Sequence, residues 1–428
     1  LLDGAGRLSG RYSAGHNRFL PALDAWWSEQ RIADAGDPLP FCGGWFVYFG
    51  YEFAGEVEPR LRLPEGPAPR AYARRVRVAA VWHHDTQRLS LVYEHGCEED
   101  AIWLESVLVP TAVTTSVSPL PPLEIREDDP EHYRAAVRRA RDYIAAGDVY
   151  QANLAREWRV SLPAEVTPEQ LYGHLRAANP GPFAALARLP GTTVLSTSPE
   201  RLVASRHGRI ESRPIAGTRA RRGDDAAVIR DLVENVKERA EHVMLVDLAR
   251  NDIGRVCDYG SVQVKELMVI ERYSHVMHIV SQVEGHLAAD KNAFDLMRAT
   301  FPAGTVSGAP KIRAMQIISE LEGTTRGPYA GCVGYFSFNG NCDTAITIRT
   351  ALVKDGQVFV QAGGGWVTDS DPEAEFQETV NKSKAMRKAV ALAETFGLPT
   401  EAYQALRRGG ITGLGEQRQK VVAYRKGR

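Results

Sequence analysis

Hydrophobic positions recur with two different spacings along the chain, which predicts that strands and helices alternate. Residues 76–84 (VRVAAVWHH) and 88–94 (RLSLVYE) place apolar side chains at strand spacing, and turn-forming residues around Asp85 separate them. Residues 43–55 (GGWFVYFGYEFAG) are apolar and aromatic, with glycines between them. We therefore expect residues 1–122 to consist of strands and loops.

A stretch rich in proline, serine and threonine, residues 109–131, is the best candidate for a linker. Near its end, Asp129 and Pro130 are the residue types preferred at a helix N-cap and at the first helical position. The apolar stripe that follows has helical spacing, and Gly147 is expected to end the helix.

The next segment, residues 149–160 (VYQANLAREWRV), alternates as a strand, with Gln151 and Asn153 on the same face. From there, helices and strands keep alternating to about residue 395. Strands such as 192–198 and 201–214 follow one another closely, which favours antiparallel pairing. The fold class expected from this pattern is α+β.

Three regions are predicted along the chain: a strand-rich region 1–122, a central region 123–395 and a basic, glycine-rich tail 396–428 that is expected to be peripheral. The 428 residues carry a net charge of −1, so no nucleic-acid partner is expected. No apolar run reaches the roughly 18 residues that a membrane-spanning helix needs, and no membrane association is expected.

The five cysteines are odd in number, lie far apart and include no C-x-x-C motif. This pattern fits a reducing, cytoplasmic location and argues against a zinc site or a disulfide scaffold. The chain starts with Leu1 rather than Met, so a preceding segment, including a signal peptide, stays open.

Two predicted helices carry carboxylates on one face. Glu238 and Glu241 are three residues apart on the first, and Glu375, Glu378 and Lys382 share a face of the second, which Asp371 and Pro372 begin. Four carboxylates could converge on Mg²⁺, which prefers oxygen ligands. Two solvated helix faces, with an ordinary ion pair between residues 378 and 382, are the other interpretation.

Two glycine-rich loops could hold an anion. Gly304, Thr305, Ser307 and Gly308 precede a predicted helix, whose N-terminus favours negative charge, and Gly363–Gly365 allow close approach to the backbone. Tight turns explain both stretches equally well. Arg349 is expected inside an apolar strand, where either a structural salt bridge or a bound carboxylate could be its partner.

Eight segments in order resemble the chorismate-utilising enzymes: SPERLV, PIAGTR, AEHVMLVDLARNDIGR, RYSHVMHIVS, FPAGTVSGAPKIRAMQII, DTAITIRT, QAGGGWV and AEFQETVNK. They cover residues 130–390. The resemblance implies two large antiparallel-rich β-sheets packed face to face, with helices outside and the active site in the central cleft. The N-terminal strands would complete this sandwich rather than fold alone.

The resemblance also implies roles for individual residues. Glu241 and Glu378, with Glu238 and Glu375 beside them, match the ligands of Mg²⁺. Glu200 matches the acid that protonates the departing ring hydroxyl. The other matched positions bind substrate or line the reacting ring: Ala216, Gly217, Thr218, His278, Thr305, Tyr335, Arg349, Gly363, Gly364, Gly365 and Lys382.

Gln151 narrows the choice of nucleophile. Family members that add water to chorismate carry a lysine base at this position, and glutamine cannot deprotonate water. We therefore expect ammonia to be the nucleophile. Family members that use ammonia receive it from a glutamine amidotransferase subunit, and this chain shows no such segment, so a separate amidotransferase partner is expected.

Ala216 and Asn153 point to different products. Many aminodeoxychorismate synthases carry lysine at the position of Ala216, and this lysine attacks the ring, whereas anthranilate synthases carry alanine. The segment around Asn153 resembles the aminodeoxychorismate synthases, a subclass of which also has the alanine. We expect 4-amino-4-deoxychorismate, for folate synthesis, formed through a non-covalent 2-amino intermediate. Anthranilate is the alternative product.

A catalytically inactive chorismate-binding homologue is the alternative from another class, and the intact carboxylates, Glu200 and His278 argue against it. Residues 179–186 (NPGPFAAL) resemble one wall of the tryptophan site of some members, and a packed turn explains them equally well.

Overall fold

The structure is a computed structural model that describes residues 1–10, 15–108, 123–220, 225–272, 276–368, 370–391 and 418–424. Its helices are α1 (Phe19–Gln30), α2 (Ala54–Val57), α3 (Glu98–Val107), α4 (Pro130–Ala145), α5 (Pro168–Ala178), α6 (Asp225–Glu234), α7 (Val236–Gly254), α8 (Ala293–Thr300), α9 (Lys311–Glu322) and α10 (Pro372–Ala391). Short 3₁₀ turns lie at Tyr51–Phe53 and Gly304–Val306.

The strands of the described residues follow the same numbering from the N-terminus. They are β1 (Gly44–Phe49), β2 (Ala71–Val76), β3 (Val78–His83), β4 (Arg88–Glu94), β5 (Ile125–Glu127), β6 (Gln151–Ser161), β7 (Phe183–Leu189), β8 (Thr192–Ser198), β9 (Arg201–Arg206), β10 (Arg209–Ser212), β11 (Ile215–Ala220), β12 (Gln263–Arg272), β13 (Val276–His286), β14 (Gly308–Ala309), β15 (Cys332–Ser337), β16 (Cys342–Ile346), β17 (Thr350–Lys354), β18 (Gln357–Trp366) and β19 (Arg418–Tyr424).

Two large antiparallel sheets form the centre of the fold. The nine-stranded sheet has the order β11-β13-β10-β9-β16-β15-β1-β2, and β12 pairs with β13. The seven-stranded sheet has the order β14-β6-β18-β17-β8-β7, and β5 pairs with β6. Because β1 lies between β15 and β2, the N-terminal part of the chain is built into the first sheet.

The two sheets pack against each other through apolar side chains. Tyr48 and Val333 of the nine-stranded sheet share one buried cluster with Val194 and Leu352 of the seven-stranded sheet. Helices α4, α9 and α10 contact the seven-stranded sheet, whereas α6 and α7 contact β11 and β13 of the other. The predicted α+β arrangement of large antiparallel sheets with helices is therefore confirmed.

The chain crosses from one sheet to the other at two neighbouring places. Strands β8 and β9 are consecutive but belong to different sheets, with Glu200 in the link between them. Strands β16 and β17 are separated in the same way, with Arg349 in their link. The backbone N–H of Ile346 donates to the Glu200 carbonyl at 3.0 Å, and Thr197 N–H donates to the Arg349 carbonyl at 3.1 Å. The two crossovers therefore lie side by side.

This arrangement corrects one sequence-based prediction. Arg349 does not lie inside a strand, because β16 ends at Ile346 and β17 begins at Thr350. Its φ angle is +50°, a left-handed conformation that is uncommon for residues other than glycine. The bend at Arg349 turns the chain from one sheet toward the other.

Several local predictions are confirmed. The Asp129 side chain accepts a hydrogen bond from the Glu131 N–H at the start of α4, and Asp371 accepts from Glu373 N–H at the start of α10. Strands β3 and β4 form the predicted antiparallel pair. The proposed linker falls largely on residues that lie outside the described part of the chain.

The structure also bears on the C-terminal tail, the cysteines and membrane spans. Within the predicted tail, residues 396–428, the structure describes only β19, which pairs in parallel with β4 beside β3. All five cysteines are free thiols. No helix among the described residues is both long enough and apolar enough to cross a membrane.

Candidate active site

A cleft of about 890 Å³ opens where the two crossovers meet helices α7 and α10. Its walls bring together residues that are up to 235 positions apart in sequence, from Gln151 on β6 to Met386 on α10. Most of the residues predicted for the site line it: Gln151, Glu200, Ala216, Gly217, Glu238, Glu241, His278, Thr305, Arg349, Gly363, Gly365, Glu375, Glu378 and Lys382.

Glu200 and Arg349 face each other at the crossovers. Burial raises the pKa of Glu200 to about 7, while the Thr305 hydroxyl and the Arg349 cation act in the opposite direction. Burial also lowers the pKa of Arg349, which Glu200 partly offsets. Among the described residues, Arg349 belongs to no ion pair within 4.0 Å. A carboxyl group with this pKa keeps a substantial share of its proton at neutral pH.

Helix α7 supplies two of the cleft carboxylates. Asn235 caps the helix by accepting a hydrogen bond from Glu238 N–H at 3.1 Å, which fixes the first turn. The Glu238 carboxylate accepts from Arg219 at 2.8 Å, and the Glu241 carboxylate accepts from Gln151 Nε2 at 3.2 Å. Burial raises the pKa of Glu241, and the negative charges of Glu238 and Glu378 raise it further.

Helix α10 supplies the other two. Ser370 donates to the Glu375 carboxylate at 2.8 Å, and burial together with the charge of Glu378 raises the pKa of Glu375. Burial favours a higher pKa for Glu378. Lys382 lies 2.7 Å from the Glu378 carboxylate and holds the pKa of Glu378 below the ordinary range. Lys382 also donates to the Gly363 carbonyl at 3.0 Å, so it links α10 to β18.

The four carboxylates fit a hard divalent cation by their chemistry. The charge of Glu378 raises the pKa of Glu241, and a cation bound between the two carboxylates would offset that repulsion. Within the described part of the chain, no three His, Cys, Asp or Glu side chains form a ready-made metal cluster. Mg²⁺ does not need one, because it commonly binds through one or two carboxylates plus water and substrate.

The glycines of β18 let neighbouring side chains approach its backbone. These residues lie in a strand, not in a tight turn. A Cβ atom at Gly365 would lie 1.9 Å from Gln151 Nε2, and one at Gly363 would lie 2.7 Å from the Tyr329 hydroxyl. Gly364 does not line the cleft, but its Cβ position is 3.2 Å from Glu375 Oε2. A larger residue at 365 would displace the Gln151 amide, and one at 363 would also press against the Leu154 carbonyl oxygen, 2.5 Å from the Cβ position.

Strands β11 and β13 form the wall opposite α10. Ala216 is buried and lines the cleft, and the strand is irregular between Ala216 and Thr218, where Gly217 adopts φ +60°. Thr218 pairs with His278 in register, whereas the Thr218 side chain is outside the description. Burial and then Arg349 lower the pKa of His278 to about 4, so its imidazole is neutral at physiological pH.

Tyr335 does not line the cleft. It lies on β15 opposite Phe46 and Asp343, and its ring packs edge-on against Phe41. Tyr329, just before β15, does line the cleft, and its hydroxyl lies 3.4 Å from Asn153 Oδ1. Sequence reasoning did not single out Tyr329, although it stands in the glycine-rich segment that leads into the same strand.

The sequence profile of the family described as chorismate binding enzyme matches residues 11–388. The chain belongs to the chorismate-binding enzyme family. Curated relatives include anthranilate synthase component 1 of Aquifex aeolicus, 45% identical over 374 residues that cover 83% of this chain and 75% of the relative. Aminodeoxychorismate synthase component 1 of Bacillus subtilis is 39% identical over 393 residues, covering 88% of this chain and 83% of the relative.

Among solved structures of chorismate-binding enzymes, anthranilate synthase component I from Streptococcus pneumoniae superposes with a TM-score of 0.78 at 36% identity, covering 85% of each chain. An isochorismate synthase structure from Bacillus anthracis shares the fold, with a TM-score of 0.63 at 21% identity and coverage of 88% of this chain and 90% of that one. This chain is therefore a chorismate-utilising enzyme of the component I type.

Proposed function

We propose that the chain aminates chorismate with ammonia, in a reaction that depends on Mg²⁺, and forms 4-amino-4-deoxychorismate. The observation that carries the amination, whichever product forms, is the hydrogen bond between Gln151 and Glu241 in the cleft, 3.2 Å long. An amide in this position cannot act as the base that an attacking water molecule would need. Ammonia is already a nucleophile as the free base, and it needs no such group.

Space and polarity at the cleft favour a small amine. Ala216 contributes only a methyl group to the cleft wall, which would leave a ring carbon bound next to it open to a dissolved nucleophile. The Gln151 side-chain oxygen is buried and has no hydrogen-bond partner among the described residues. A buried acceptor of this kind favours a ligand that can donate an N–H group.

The carboxylates of α7 and α10 would hold the metal, chiefly through Glu241 and Glu378. When bound, the Mg²⁺ ion would attract the ring carboxylate of chorismate and withdraw electron density from the ring. We assign the binding of the other carboxylate to Arg349 and the Tyr329 hydroxyl, because both line the cleft and Arg349 belongs to no ion pair among the described residues.

Glu200 supplies the proton for the departing hydroxyl. A C–N bond forms at ring carbon 2, the double bonds shift, and the C–O bond at carbon 4 breaks as Glu200 protonates the oxygen. A second ammonia then bonds to carbon 4, the double bonds shift back and the first amine leaves carbon 2 as ammonia; the leaving amine takes up one proton and the newly bound ammonium loses one, so no net proton is consumed in this step. The raised pKa of Glu200, about 7, is what allows a carboxyl group to do this near neutral pH.

Anthranilate is the second candidate product. It would form from the same 2-amino intermediate by loss of the enolpyruvyl group as pyruvate. Two observations favour it: Ala216 is the residue that anthranilate synthases carry, and most of the similar relatives bear the name anthranilate synthase component 1, including that of A. aeolicus. In either case we propose that a separate glutamine amidotransferase subunit supplies the ammonia.

The deciding experiment incubates the purified protein with chorismate, Mg²⁺ and an ammonium salt, followed by chromatographic separation of the products. Accumulation of 4-amino-4-deoxychorismate would support the proposal. Anthranilate and pyruvate as the main products would establish the second candidate instead. Chorismate binding without any turnover would identify an inactive homologue.

A further inference from the structure

Phe376, on the helix that carries Glu375 and Glu378, lies between two arginine side chains. The guanidinium carbon of Arg134 is 4.2 Å from the centre of the Phe376 ring, and that of Arg156 is 4.3 Å from it. Both distances are well within the roughly 6 Å range of a cation–π contact. Phe376 is buried, so these contacts form on the side of α10 that faces away from water.

Arg156 forms hydrogen bonds with two acidic side chains. Its side chain is completely buried, its Nε donates to Asp128 at 2.9 Å and its Nη2 donates to Glu127 at 3.2 Å. Both acids lie at the end of β5 and the start of the α4 segment. The guanidinium also packs over the ring of Trp158, at 5.1 Å. Arg156 therefore ties α10 to β6 and to the residues before α4.

Arg134 makes the second tie. It lies on α4 and, besides its contact with Phe376, donates to the Glu373 carboxylate at 2.9 Å in the first turn of α10. The beginning of α10 is therefore held from two directions, by α4 and by β6. The cluster formed by Arg134, Arg156 and Phe376 is called the α10 clamp below.

Burying the arginine of the α10 clamp carries a free-energy penalty. A buried arginine loses its hydration, and a buried ion pair can often be replaced by apolar residues with little change in stability. Arg156 Nη1 is buried and, among the described residues, has no hydrogen-bond partner, which adds to the free-energy penalty of burying this side chain.

The carboxylates of α10 must lie close to that of Glu241 if they are to share one cation with it. Glu375 and Glu378 line the cleft together with Glu241 of α7. Phe376 follows Glu375 directly on α10 and lies two positions before Glu378. A contact that fixes Phe376 therefore also fixes the turn of α10 that carries both carboxylates.

We propose that the α10 clamp is a positioning device for a divalent cation: Arg134 and Arg156 hold Phe376 so that the α10 carboxylates stay opposite Glu241. The inference rests on the proposed function, because it takes these carboxylates to be the metal ligands. Residues that orient metal ligands from behind typically change metal affinity about 10- to 100-fold when they are replaced.

The test measures Mn²⁺ binding by electron paramagnetic resonance, with chorismate present and ammonia absent so that no turnover occurs. Arg156→Met keeps the bulk of the side chain but removes its charge and planar group. We expect the Mn²⁺ dissociation constant to rise about 10- to 100-fold. Arg156→Lys keeps the charge without the planar guanidinium. Its Mn²⁺ dissociation constant should lie between those of the wild-type protein and Arg156→Met.

Arg139→Met is the matched control. Arg139 lies on the same helix as Arg134 and also packs over an aromatic ring, that of Tyr143 at 4.7 Å, but it is exposed, and this ring and its ion-pair partner Asp142 both belong to α4. Its replacement should leave Mn²⁺ affinity unchanged. Phe376→Leu provides a second variant in case Arg156→Met does not fold, and it should weaken Mn²⁺ binding similarly.

The outcomes separate the clamp from the metal site itself. Wild-type Mn²⁺ affinity in folded Arg156→Met and Phe376→Leu would overturn the inference. The inference would also be overturned if these variants bind Mn²⁺ more weakly and their melting temperatures in metal-free buffer fall in parallel. That pattern indicates a general structural role. Glu378→Ala should abolish the Mn²⁺ binding seen with the wild-type protein. If it does not, or if the wild-type protein binds no Mn²⁺, the proposed metal site is wrong and the inference fails with it.

Discussion

The side-chain amide of Gln151 donates a hydrogen bond to the Glu241 carboxylate across 3.2 Å, and this contact joins strand β6 to helix α7. A hypothetical Cβ at Gly365 would lie 1.9 Å from the same amide nitrogen, so the glycine of β18 makes room for it. The amide therefore lies at a point where three elements of the cleft meet. Gln151, the residue on which the choice between ammonia and water rests, therefore contacts Glu241, a proposed ligand of Mg²⁺.

Removal of the Glu378 carboxylate tests the proposed metal site. Glu378→Ala should abolish Mg²⁺-dependent turnover, because it removes one of two principal oxygen ligands, while the protein stays folded since Glu378 is half-exposed in the cleft. Activity assays over a range of Mg²⁺ concentrations, with circular dichroism for folding, check this. Gln377→Ala, one residue away on the exposed face of α10, is the control and should retain activity. Turnover by folded Glu378→Ala would refute the metal assignment.

The pKa of Glu200 predicts how activity depends on pH. The reaction needs the protonated carboxyl group, and burial raises its pKa to about 7. As the pH rises through this value the protonated fraction falls, so kcat/KM should decline on the alkaline side of about pH 7. His278, with a pKa lowered to about 4, should contribute no change between pH 5.5 and 9.

A pH–rate profile with saturating ammonia at each pH checks the prediction for Glu200, because the supply of free ammonia itself changes with pH. Glu200→Gln should lack activity at every pH. An activity that keeps rising to pH 9 in the wild-type protein, after this correction, would mean that Glu200 is not the acid.

A lysine in place of Ala216 tests where the ring lies. Ala216 is buried in the cleft wall, and a lysine amine extending from it would reach the position that ammonia is proposed to occupy. Ala216→Lys should form a covalent adduct with chorismate, seen as a mass increase of the intact protein. Ala216→Leu, which has no amine, should show none. Absence of an adduct in an Ala216→Lys protein that still binds chorismate would contradict this placement.

Two tyrosines six positions apart provide a matched pair. Tyr329 lines the cleft, whereas Tyr335 packs against Phe41 outside it. Tyr329→Phe should lower kcat/KM for chorismate about 10- to 100-fold, the range expected for losing a hydrogen bond to a charged group. Tyr335→Phe should change it little. Steady-state kinetics of both variants decide the matter, and a larger effect from Tyr335→Phe would restore the sequence-based assignment.

Local signals in the sequence were reliable guides to local structure. Asp129 with Pro130 and Asp371 with Pro372 begin helices as predicted, because a capping side chain and a proline act within one turn of the backbone. The four carboxylates could be assigned to helix faces for the same reason. Their meeting in one cleft depends on the packing of α7 and α10, and only the family resemblance indicated it beforehand.

The prediction that was wrong, for Arg349, concerns a relation between distant elements, and so does the difference between Tyr329 and Tyr335. Arg349 was expected inside a strand, because the apolar pattern of residues 342–353 continues across the point where the chain changes sheets. Tyr329 and Tyr335 have the same strand parity, so alternation cannot tell which one faces the cleft. What separates them is the left-handed φ of +62° at Ala330, a backbone feature that a non-glycine residue does not reveal in a sequence.

The nucleophile is tested most directly by isotope labelling. The protein is incubated with chorismate, Mg²⁺ and ¹⁵N-ammonium in ¹⁸O-water, and the products are analysed by mass spectrometry. We predict a product that carries ¹⁵N at the position of the lost hydroxyl and contains no ¹⁸O. A product that carries ¹⁸O without ¹⁵N would show that water attacks the ring, and this would contradict the proposed amination.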